Sequence, residues 1–293
     1  MELKSVITLV RPSQWIKNIV LFGALIFSRE FTNIDHTLTT LYAFLIFCLL
    51  SSVIYIVNDI SDRESDRSHP EKRKRPIASG RLSVGAAATL AVVGGLIGIL
   101  LSMMMPVDFV YFVVAFLVFN FLYSWMLKRV VIIDVMAIAI SFVIRAVAGA
   151  AAIGVPFSPW LIVCTFLLAL FIGFGKRRHE VVTLKGNAAD HRITLGKYST
   201  YLLDQLIGVV TASTVVAYAF YTVSPEVKTK LGVERLELTI PFVIYGIFRY
   251  LYLIHQEEQG GFPSKLLVSD APTLINIVLW FLSVLAIFLW FGV

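Results

Sequence analysis

Three carboxylates and an amide stand close together in the sequence, directly after a long apolar segment. They are Asp59, Asp62 and Asp66, with Asn58 before them. Because no Gly or Pro intervenes before Pro70, the spacing predicts one helix that continues to that proline. At about 100° per residue, the three aspartates then share one helix face, with Asn58 one turn from Asp62.

Such a group of acids is unfavourable without a cation. Neighbouring carboxylates disfavour each other's ionised form, and acids near a helix C-terminus also oppose the helix dipole. Mg²⁺ suits the group, because it is held by carboxylates while substrate phosphates and water complete its shell. We therefore predict Asp59, Asp62 and Asp66 as magnesium ligands and catalytic residues, with Asn58 as a substrate ligand. The alternative is a solvated acidic helix end.

A basic segment follows the acids at once, from His69 to Arg81. Next to a metal site, guanidinium and ammonium groups suit a diphosphate, because the metal neutralises part of its charge and the cations hold the remaining oxygens. Lys72, Arg73 and Arg75 are therefore candidate phosphate ligands. The alternative is that these charges only fix the orientation of the chain in a membrane.

The elements that must position these residues are membrane helices. Hydrophobic residues make up 58% of the 293 and charged residues only 15%, whereas about a quarter of a soluble domain is charged. A spanning helix needs about 20 apolar residues. The sequence therefore predicts an all-α, polytopic membrane bundle of about nine transmembrane helices, forming one domain over residues 1–293. The predicted spans are 15–28, 37–57, 84–104, 108–127, 130–153, 158–175, 199–223, 238–254 and 272–292.

The basic residues predict the orientation of the bundle. When the loops are numbered alternately, 19 Lys and Arg fall on the side of the N-terminus and four on the other. We therefore expect a cytoplasmic N-terminus, cytoplasmic loops at 58–83, 176–198 and 255–271, and an active site that faces the cytoplasm from the plasma (inner) membrane. The net charge of +6 is then explained by the basic residues that orient the chain in the membrane, and no nucleic-acid partner is predicted.

Two polar features lie inside the predicted spans. Arg145 is about two-thirds through the fifth span, where a charge is costly. Tyr123 belongs to a polar stripe with Asn120 and Ser124 that leads to Lys128. Arg145 and Tyr123 are candidates to line a substrate cavity. Hydrogen bonds between helices are the alternative explanation for the stripe.

The acidic motif, followed by Arg75-Pro76-Ile77, resembles the first motif of the UbiA superfamily of intramembrane prenyltransferases. The segments from Arg11 to Asn18 and from His69 to Gly80 are most similar to its decaprenyl-phosphate phosphoribosyltransferase branch. This resemblance implies nine spans, a cytoplasmic active site and a role for Mg²⁺. It also adds Gln14 and Lys17 as expected substrate ligands.

The second cytoplasmic loop departs from the superfamily pattern. Typical members carry a second Asp-rich motif there, but this chain has Lys-Arg-Arg-His-Glu at 176–180, then Lys185 and Asp-His-Arg at 190–192. A prenyl diphosphate has only its diphosphate to neutralise, whereas phosphoribosyl pyrophosphate adds a 5-phosphate and a ribose. The extra cations therefore favour a sugar-phosphate donor, with Lys176, Arg177 and Glu180 as substrate ligands. Positive charge that only sets topology is the alternative.

Together these features predict a magnesium-dependent enzyme. It would transfer a 5-phosphoribosyl group from phosphoribosyl pyrophosphate to a polyprenyl phosphate and release diphosphate. One alternative is a UbiA-type prenyltransferase that moves a prenyl group from its diphosphate to an aromatic acceptor. Another is a transporter of a phosphorylated metabolite, although transporters favour polar groups at the midplane and these acids lie at one face. The expected partners are the donor, the lipid acceptor and the bilayer, and the sequence is also compatible with a homo-oligomer.

Overall fold

Helices form most of the described chain. The computed structural model describes residues 3–68, 72–183, 194–257, 260, 261, 263, 266 and 269–290. Eight helices in this part are long and apolar enough to cross a bilayer, which confirms the predicted all-α membrane fold. In chain order the helices are α1 (Leu3–Val10), α2 (Phe22–Phe27), α3 (Ile34–Ser61), α4 (Arg63–Ser68), α5 (Val84–Ser102), α6 (Val107–Trp125), α7 (Ile133–Ala152), α8 (Pro159–Thr183), α9 (Thr200–Val223), α10 (Pro225–Leu231), α11 (Ile240–His255) and α12 (Ala271–Trp290).

The first predicted span, 15–28, has a different form from the other eight. It falls in a 3-10 helix over Pro12–Leu21 and in α2. At about 2.0 Å per residue in the first part and 1.5 Å in the second, the two would extend about 29 Å if they were collinear. That length is close to the thickness of the hydrocarbon core, about 30 Å. The count of nine spans and the cytoplasmic N-terminus stay predictions.

The predicted continuous helix from the second span to Pro70 is wrong. Helix α3 ends at Ser61 and α4 begins at Arg63. Asp62, between the two helices, has φ −93° and ψ 6°. The backbone N–H of Asp62 still donates to Asn58 O at 2.8 Å. However, Ser65 Oγ donates to Asp62 O at 2.9 Å, a local side-chain bond of the kind that competes with regular helix bonds. The loop predicted at 58–83 therefore begins as helix.

The loop predicted at 176–198 also begins as helix, because α8 continues to Thr183. No glycine or proline follows Gly175 before that point. Arg177 Nη1 lies 2.5 Å from Glu180 Oε2, and Lys176 Nζ lies 3.8 Å from Glu180 Oε1. Such pairs three and four residues apart support a helix.

Packing divides the chain into two units, one of residues 1–26, 30–137 and 141–157 and one of residues 27–29, 138–140 and 158–293. In the first unit, α3 packs against α5 and against the 3-10 helix. Its core includes Phe47, whose ring centroid lies 5.0 Å from that of Phe116 and 5.8 Å from that of Phe109. In the second unit, α8 packs against α9 and α11 against α12. The single domain over 1–293 stays a prediction.

Two local features of the first unit position the polar residues discussed below. Ser83 caps α5, its side chain accepting from the N–H of Ala86, as expected for a residue before a helix. Gly149 lets the 3-10 helix approach α7 closely, because a Cβ at that position would lie 2.1 Å from the backbone oxygen of Leu21. The absence of a side chain at Gly149 therefore decides how near these two elements lie.

Candidate active site

The acidic end of α3 is a buried group of ion pairs in the first unit. Asp59 is 2% exposed and Asp66 is 3% exposed. Both accept hydrogen bonds from one atom, Arg75 Nη1, at 3.1 Å and 2.5 Å. Asp59 Oδ1 also accepts from Arg11 Nη2 at 2.5 Å. Two carboxylates thus converge on one cation, and we call these four residues the acidic site.

Arg11 is a member of the acidic site that the sequence did not assign. It lies between α1 and the 3-10 helix with φ 54°, in the left-handed region that few residues with a side chain adopt. Its guanidinium reaches Asp59 and lies over the ring of Tyr55, 5.3 Å from the centroid. In the sequence, the feature that could have pointed to Arg11 is its basic side chain directly before Pro12. A pairing with a carboxylate 48 residues away is not readable from one sequence.

Asp62 lies apart from the shared cation. Its Oδ1 is 2.7 Å from Lys128 Nζ, and its side chain is 38% exposed. Because α3 ends before this residue, the three aspartates do not follow one continuous helix face. Within the described residues, no three His, Cys, Asp or Glu side chains are grouped so that they could hold a metal ion. The predicted set of three ligands is thus not assembled at one point.

Asp59 and Asp66 nevertheless fit a divalent cation. Mg²⁺ in proteins is commonly held by one or two carboxylates, with substrate phosphates and water as its other ligands. The nitrogen shared by Asp59 and Asp66 marks a position where both carboxylates already face one positive charge. These two residues would therefore hold the ion, and the assignment of all three aspartates as ligands stays a prediction.

The other predicted phosphate ligands of the first unit differ in exposure. Arg75 belongs to the acidic site, whereas Lys72 is half-buried and Arg73 is exposed. Gln14 and Lys17 lie on the 3-10 helix Pro12–Leu21, and both are half-buried. The described hydrogen bonds therefore link Arg75 to the carboxylates.

Arg145 belongs to a second buried polar group in the first unit. It is 6% exposed. Its Nε donates to Asn18 Oδ1 at 2.8 Å, and its Nη1 donates to the carbonyl oxygen and to Oγ of Ser141, both at 2.9 Å. The guanidinium carbon lies 4.5 Å from the centroid of the Phe116 ring. The charge is thus surrounded by neutral groups.

The polar stripe on α6 forms hydrogen bonds between helices, as the alternative explanation expected. Asn120 Nδ2 donates to Ser141 Oγ at 3.1 Å, which joins α6 to α7. Ser124 Oγ donates to Asn58 Oδ1, which joins α6 to the end of α3. Tyr123, between them in sequence, is half-buried. Asn58 is thereby fixed next to the acidic residues that follow it.

The remaining predicted ligands lie in the second unit. Arg177 is buried and, like Lys176, pairs with Glu180 on the same helix. The structure therefore gathers these three residues at the end of α8. Four further polar residues of the predicted loop, Lys185, Asp190, His191 and Arg192, lie outside the described residues.

A charged group that the sequence did not indicate joins three helices of the second unit. Arg178 Nε of α8 lies 2.5 Å from Asp204 Oδ1 of α9, and His255 Nε2 of α11 lies 3.3 Å from the same oxygen. Arg178 also donates to the carbonyl oxygen of Ile254 at 3.3 Å. This group ties helix ends together, which is a structural role.

Fold and site together define an integral membrane protein whose helices hold a buried pair of carboxylates on a shared arginine. The chain belongs to the UbiA prenyltransferase family, whose sequence profile matches residues 19–179. It is 31% identical to the decaprenyl-phosphate phosphoribosyltransferase of Corynebacterium glutamicum, over 96% of this chain and 86% of that one. It is 29% identical to the enzyme of the same name from Mycolicibacterium smegmatis, over 92% and 88% of the two chains.

Solved structures of the family share the fold. A UbiA homologue from Archaeoglobus fulgidus bound to DMAPP and Mg²⁺ superimposes with a TM-score of 0.71 at 18% identity, over 98% of this chain and 99% of that one. A structure of a UbiA homologue from the same organism bound to Cd²⁺ gives a TM-score of 0.68, also at 18% identity, over 97% and 99% of the two chains. Divalent cations are thus bound by solved relatives.

Proposed function

We propose that this protein transfers the 5-phosphoribosyl group of phosphoribosyl pyrophosphate to a polyprenyl phosphate and releases diphosphate. The observation that carries the proposal is the acidic site, in which Asp59 and Asp66 converge on Arg75 and Arg11 lies beside Asp59. Carboxylates that can hold Mg²⁺ next to arginines are what a diphosphate leaving group requires. We further propose that this site faces the cytoplasm from the plasma membrane.

The choice of donor rests on two further observations. Relatives named decaprenyl-phosphate phosphoribosyltransferase are about 30% identical to nearly the whole chain. In addition, the end of α8 carries Lys176 and Arg177 with a single acid, Glu180, where the superfamily pattern implies several aspartates. A donor with a second phosphate and a ribose explains these cations better than a prenyl diphosphate does.

The reaction follows from the charges involved. The bond between ribose C1 and the diphosphate oxygen breaks, and the diphosphate leaves with the electron pair. An oxygen of the lipid phosphate forms the new bond to C1 from the opposite face, so the configuration at C1 is inverted. This nucleophile is already anionic near pH 7, so no side chain has to remove a proton. When bound, Mg²⁺ would neutralise charge on the leaving group.

The residues of the chain then have separate tasks. Asp59 and Asp66, with Asp62 in support, would hold the metal. Arg75 and Arg11 would bind oxygens of the leaving diphosphate. Further donor and acceptor contacts are proposed for the other predicted substrate ligands, which are Gln14, Lys17, Asn58, Lys72, Arg73, Tyr123, Arg145, Lys176, Arg177 and Glu180.

A direct assay tests the proposal. Purified protein receives Mg²⁺, labelled phosphoribosyl pyrophosphate and a polyprenyl phosphate, and label is measured in the organic phase. We expect an organic-soluble labelled product that requires all three components. Absence of product with every lipid length, together with turnover of a prenyl diphosphate and 4-hydroxybenzoate, would show a prenyltransferase instead. Uptake of intact phosphorylated sugar into proteoliposomes without any transfer would indicate a transporter.

A further inference from the structure

Two cations below the acidic site have no carboxylate partner among the described residues. Asp59, Asp62 and Asp66 pair with Arg11, Arg75 and Lys128. A further buried acid, Asp134, lies on the helix of Arg145 but about 16 Å from it along the helix axis. Arg145 contacts the neutral groups given above, and Lys17 Nζ lies over the Tyr55 ring, 5.8 Å from the centroid. The charges of Lys17 and Arg145 both lie within electrostatic range of the Tyr55 hydroxyl. Among the described residues, Lys17 and Arg145 therefore have no acid within ion-pair distance.

Arg145 is not needed to satisfy the groups that it contacts. Asn18 Oδ1 also accepts from Ser51 Oγ at 3.2 Å. Ser141 Oγ also bonds to Asn120, at 3.1 Å. A buried charge inside a membrane helix is costly, and neutral partners that are already hydrogen-bonded do not explain why it is there. An anionic ligand would explain it.

The position of the two cations is set by α3. Asp59, Tyr55 and Ser51 are four residues apart and therefore lie on one stripe of the helix. Asn18 links Arg145 to the level of Ser51, eight residues from Asp59, which is about 12 Å along the helix axis. Lys17 lies near Tyr55, between these levels. The cations therefore form a separate site beneath the acidic site, on the side of the apolar part of α3.

We infer that Lys17 and Arg145, with Tyr55 and Asn18, form a subsite for a phosphate monoester. A phosphate monoester carries a charge of about −1.5 to −2 near pH 7, which matches two unpaired cations. The inference rests on the proposed function, in which both substrates carry such a group: the lipid phosphate of the acceptor and the 5-phosphate of the donor. The diphosphate belongs to the acidic site. Whichever monoester binds here is held several ångströms deeper than the leaving group.

Direct binding measurements test the subsite without turnover. A polyprenyl phosphate in detergent micelles and ribose 5-phosphate in solution are titrated separately into the purified protein by calorimetry. We expect Lys17→Gln and Arg145→Gln each to weaken one of the two ligands about 10- to 100-fold, since a hydrogen bond to a charged group contributes about 1.5–3 kcal/mol. Arg129→Gln, which removes an exposed cation of the same unit, should change neither affinity. The ligand that is weakened identifies the source of the phosphate.

A stability measurement separates a ligand subsite from a structural role. Arg145→Met should keep or raise the melting temperature of the ligand-free protein, because it removes an unpaired buried charge. A fall in melting temperature with unchanged affinity for both monoesters would overturn the inference. So would wild-type protein that binds neither ligand. If Arg145 variants do not fold, unchanged affinities in Lys17→Gln, a half-buried position, would overturn it equally.

The two proposals can fail separately. In one outcome, the wild-type protein transfers labelled ribose phosphate while substitution of Lys17 and Arg145 leaves both monoester affinities unchanged. That result would rule out the subsite and leave the proposed function standing. Monoester binding that depends on both cations, in a protein without phosphoribosyl transfer, would remove the function and leave the subsite standing.

Discussion

The two units of this protein use buried charge in different ways. In the second unit, two described ion pairs join one helical element to another. Arg178 pairs with Asp204, and Arg249 binds Asp270 through two hydrogen bonds of 3.1 Å and 2.7 Å. Each of these two pairs connects an element to its neighbour, and each of the two arginines lies beside an acid. This pattern is what a purely structural ion pair needs.

The first unit groups its buried charges differently. Asp59 and Asp66 share Arg75, while Lys17 and Arg145 have no described acid beside them. Two carboxylates that converge on one guanidinium, with Arg11 beside them, suit an added metal ion and its phosphate ligand, and cations without an acid suit an added anion. The grouping of buried charges, rather than their number, therefore distinguishes the proposed ligand-binding region from the second unit.

Exchange of one carboxylate in each unit is the strongest test of that distinction. Asp59→Asn should lower the transfer rate at least about 100-fold, because metal stabilisation of the leaving group contributes several kcal/mol. Asp204→Asn should leave the rate nearly unchanged and lower the melting temperature, because Arg178 loses its partner. Initial rates of organic-soluble product and thermal unfolding are measured on both variants. A large rate loss in Asp204→Asn beside normal turnover in Asp59→Asn would reverse the comparison.

Substitution of two glycines, one in each unit, should have the next largest effect, in this case on stability. Gly149→Ala should destabilise the protein by about 3 kcal/mol, because the new Cβ would meet the backbone oxygen of Leu21 and the 3-10 helix would have to move. Gly175→Ala in the second unit should cost less, since its Cβ would meet the Tyr250 side chain at 3.1 Å and that side chain can shift. Chemical unfolding of the two purified variants measures the difference. Equal losses would show that both contacts are equally rigid.

Two arginines without described acid partners, one in each unit, test whether such a cation stabilises the fold or is there to bind a ligand. Arg29 of the second unit donates to Leu231 O at 2.9 Å and to Phe288 O at 3.1 Å, near the C-terminal ends of α10 and α12. Helix ends have unpaired carbonyl groups, so Arg29→Met should cost about 1–2 kcal/mol of stability. Arg145→Met should cost none. A stable Arg29→Met protein would mean that other groups satisfy these carbonyls.

The sequence predicted the eight long helices because each is a run of about 20 apolar residues, a signal that depends on the segment alone. It also predicted that Asp59, Asp66 and Arg75 act together, since their types suit one diphosphate site. The end of α8 was placed too early, because the charged run after Gly175 was taken as loop. Its Arg177–Glu180 pair is local, so this error could have been avoided.

Other features could not have been predicted from one sequence. The pairing of Arg11 with Asp59 depends on a left-handed residue that turns the chain after α1. The break of the helix at Asp62 depends on a single residue with a non-helical ψ. The unpaired state of Arg145 depends on which acids the fold brings near it. Each of these is set by tertiary contacts rather than by local residue preference.

The smallest expected effect concerns an ion pair of the second unit, Arg249 and Asp270, that is not among the predicted site residues. Asp270 Oδ2 accepts from the N–H of Thr273 at 3.0 Å, so it caps α12, and Arg249 donates to both of its oxygens. These hydrogen bonds from Arg249 hold the pKa of the Asp270 carboxyl well below its usual range. Asp270→Ala should therefore lower the free energy of unfolding at pH 7 by about 1 kcal/mol, the usual loss for a helix cap.

The loss of stability caused by Asp270→Ala should depend on pH. A carboxyl with a depressed folded-state pKa stabilises the protein above its unfolded pKa, about 3.9, and this contribution fades as the pH falls towards the folded value. The stability difference between wild type and Asp270→Ala should therefore shrink below about pH 4, as measured by thermal unfolding at pH 7 and pH 3. Thr273→Val, which removes the hydroxyl bond to Asp270 and keeps the backbone bond, is the matched control. A difference that grows on acidification would mean that the pKa of this carboxyl is raised in the folded protein, and would overturn the prediction.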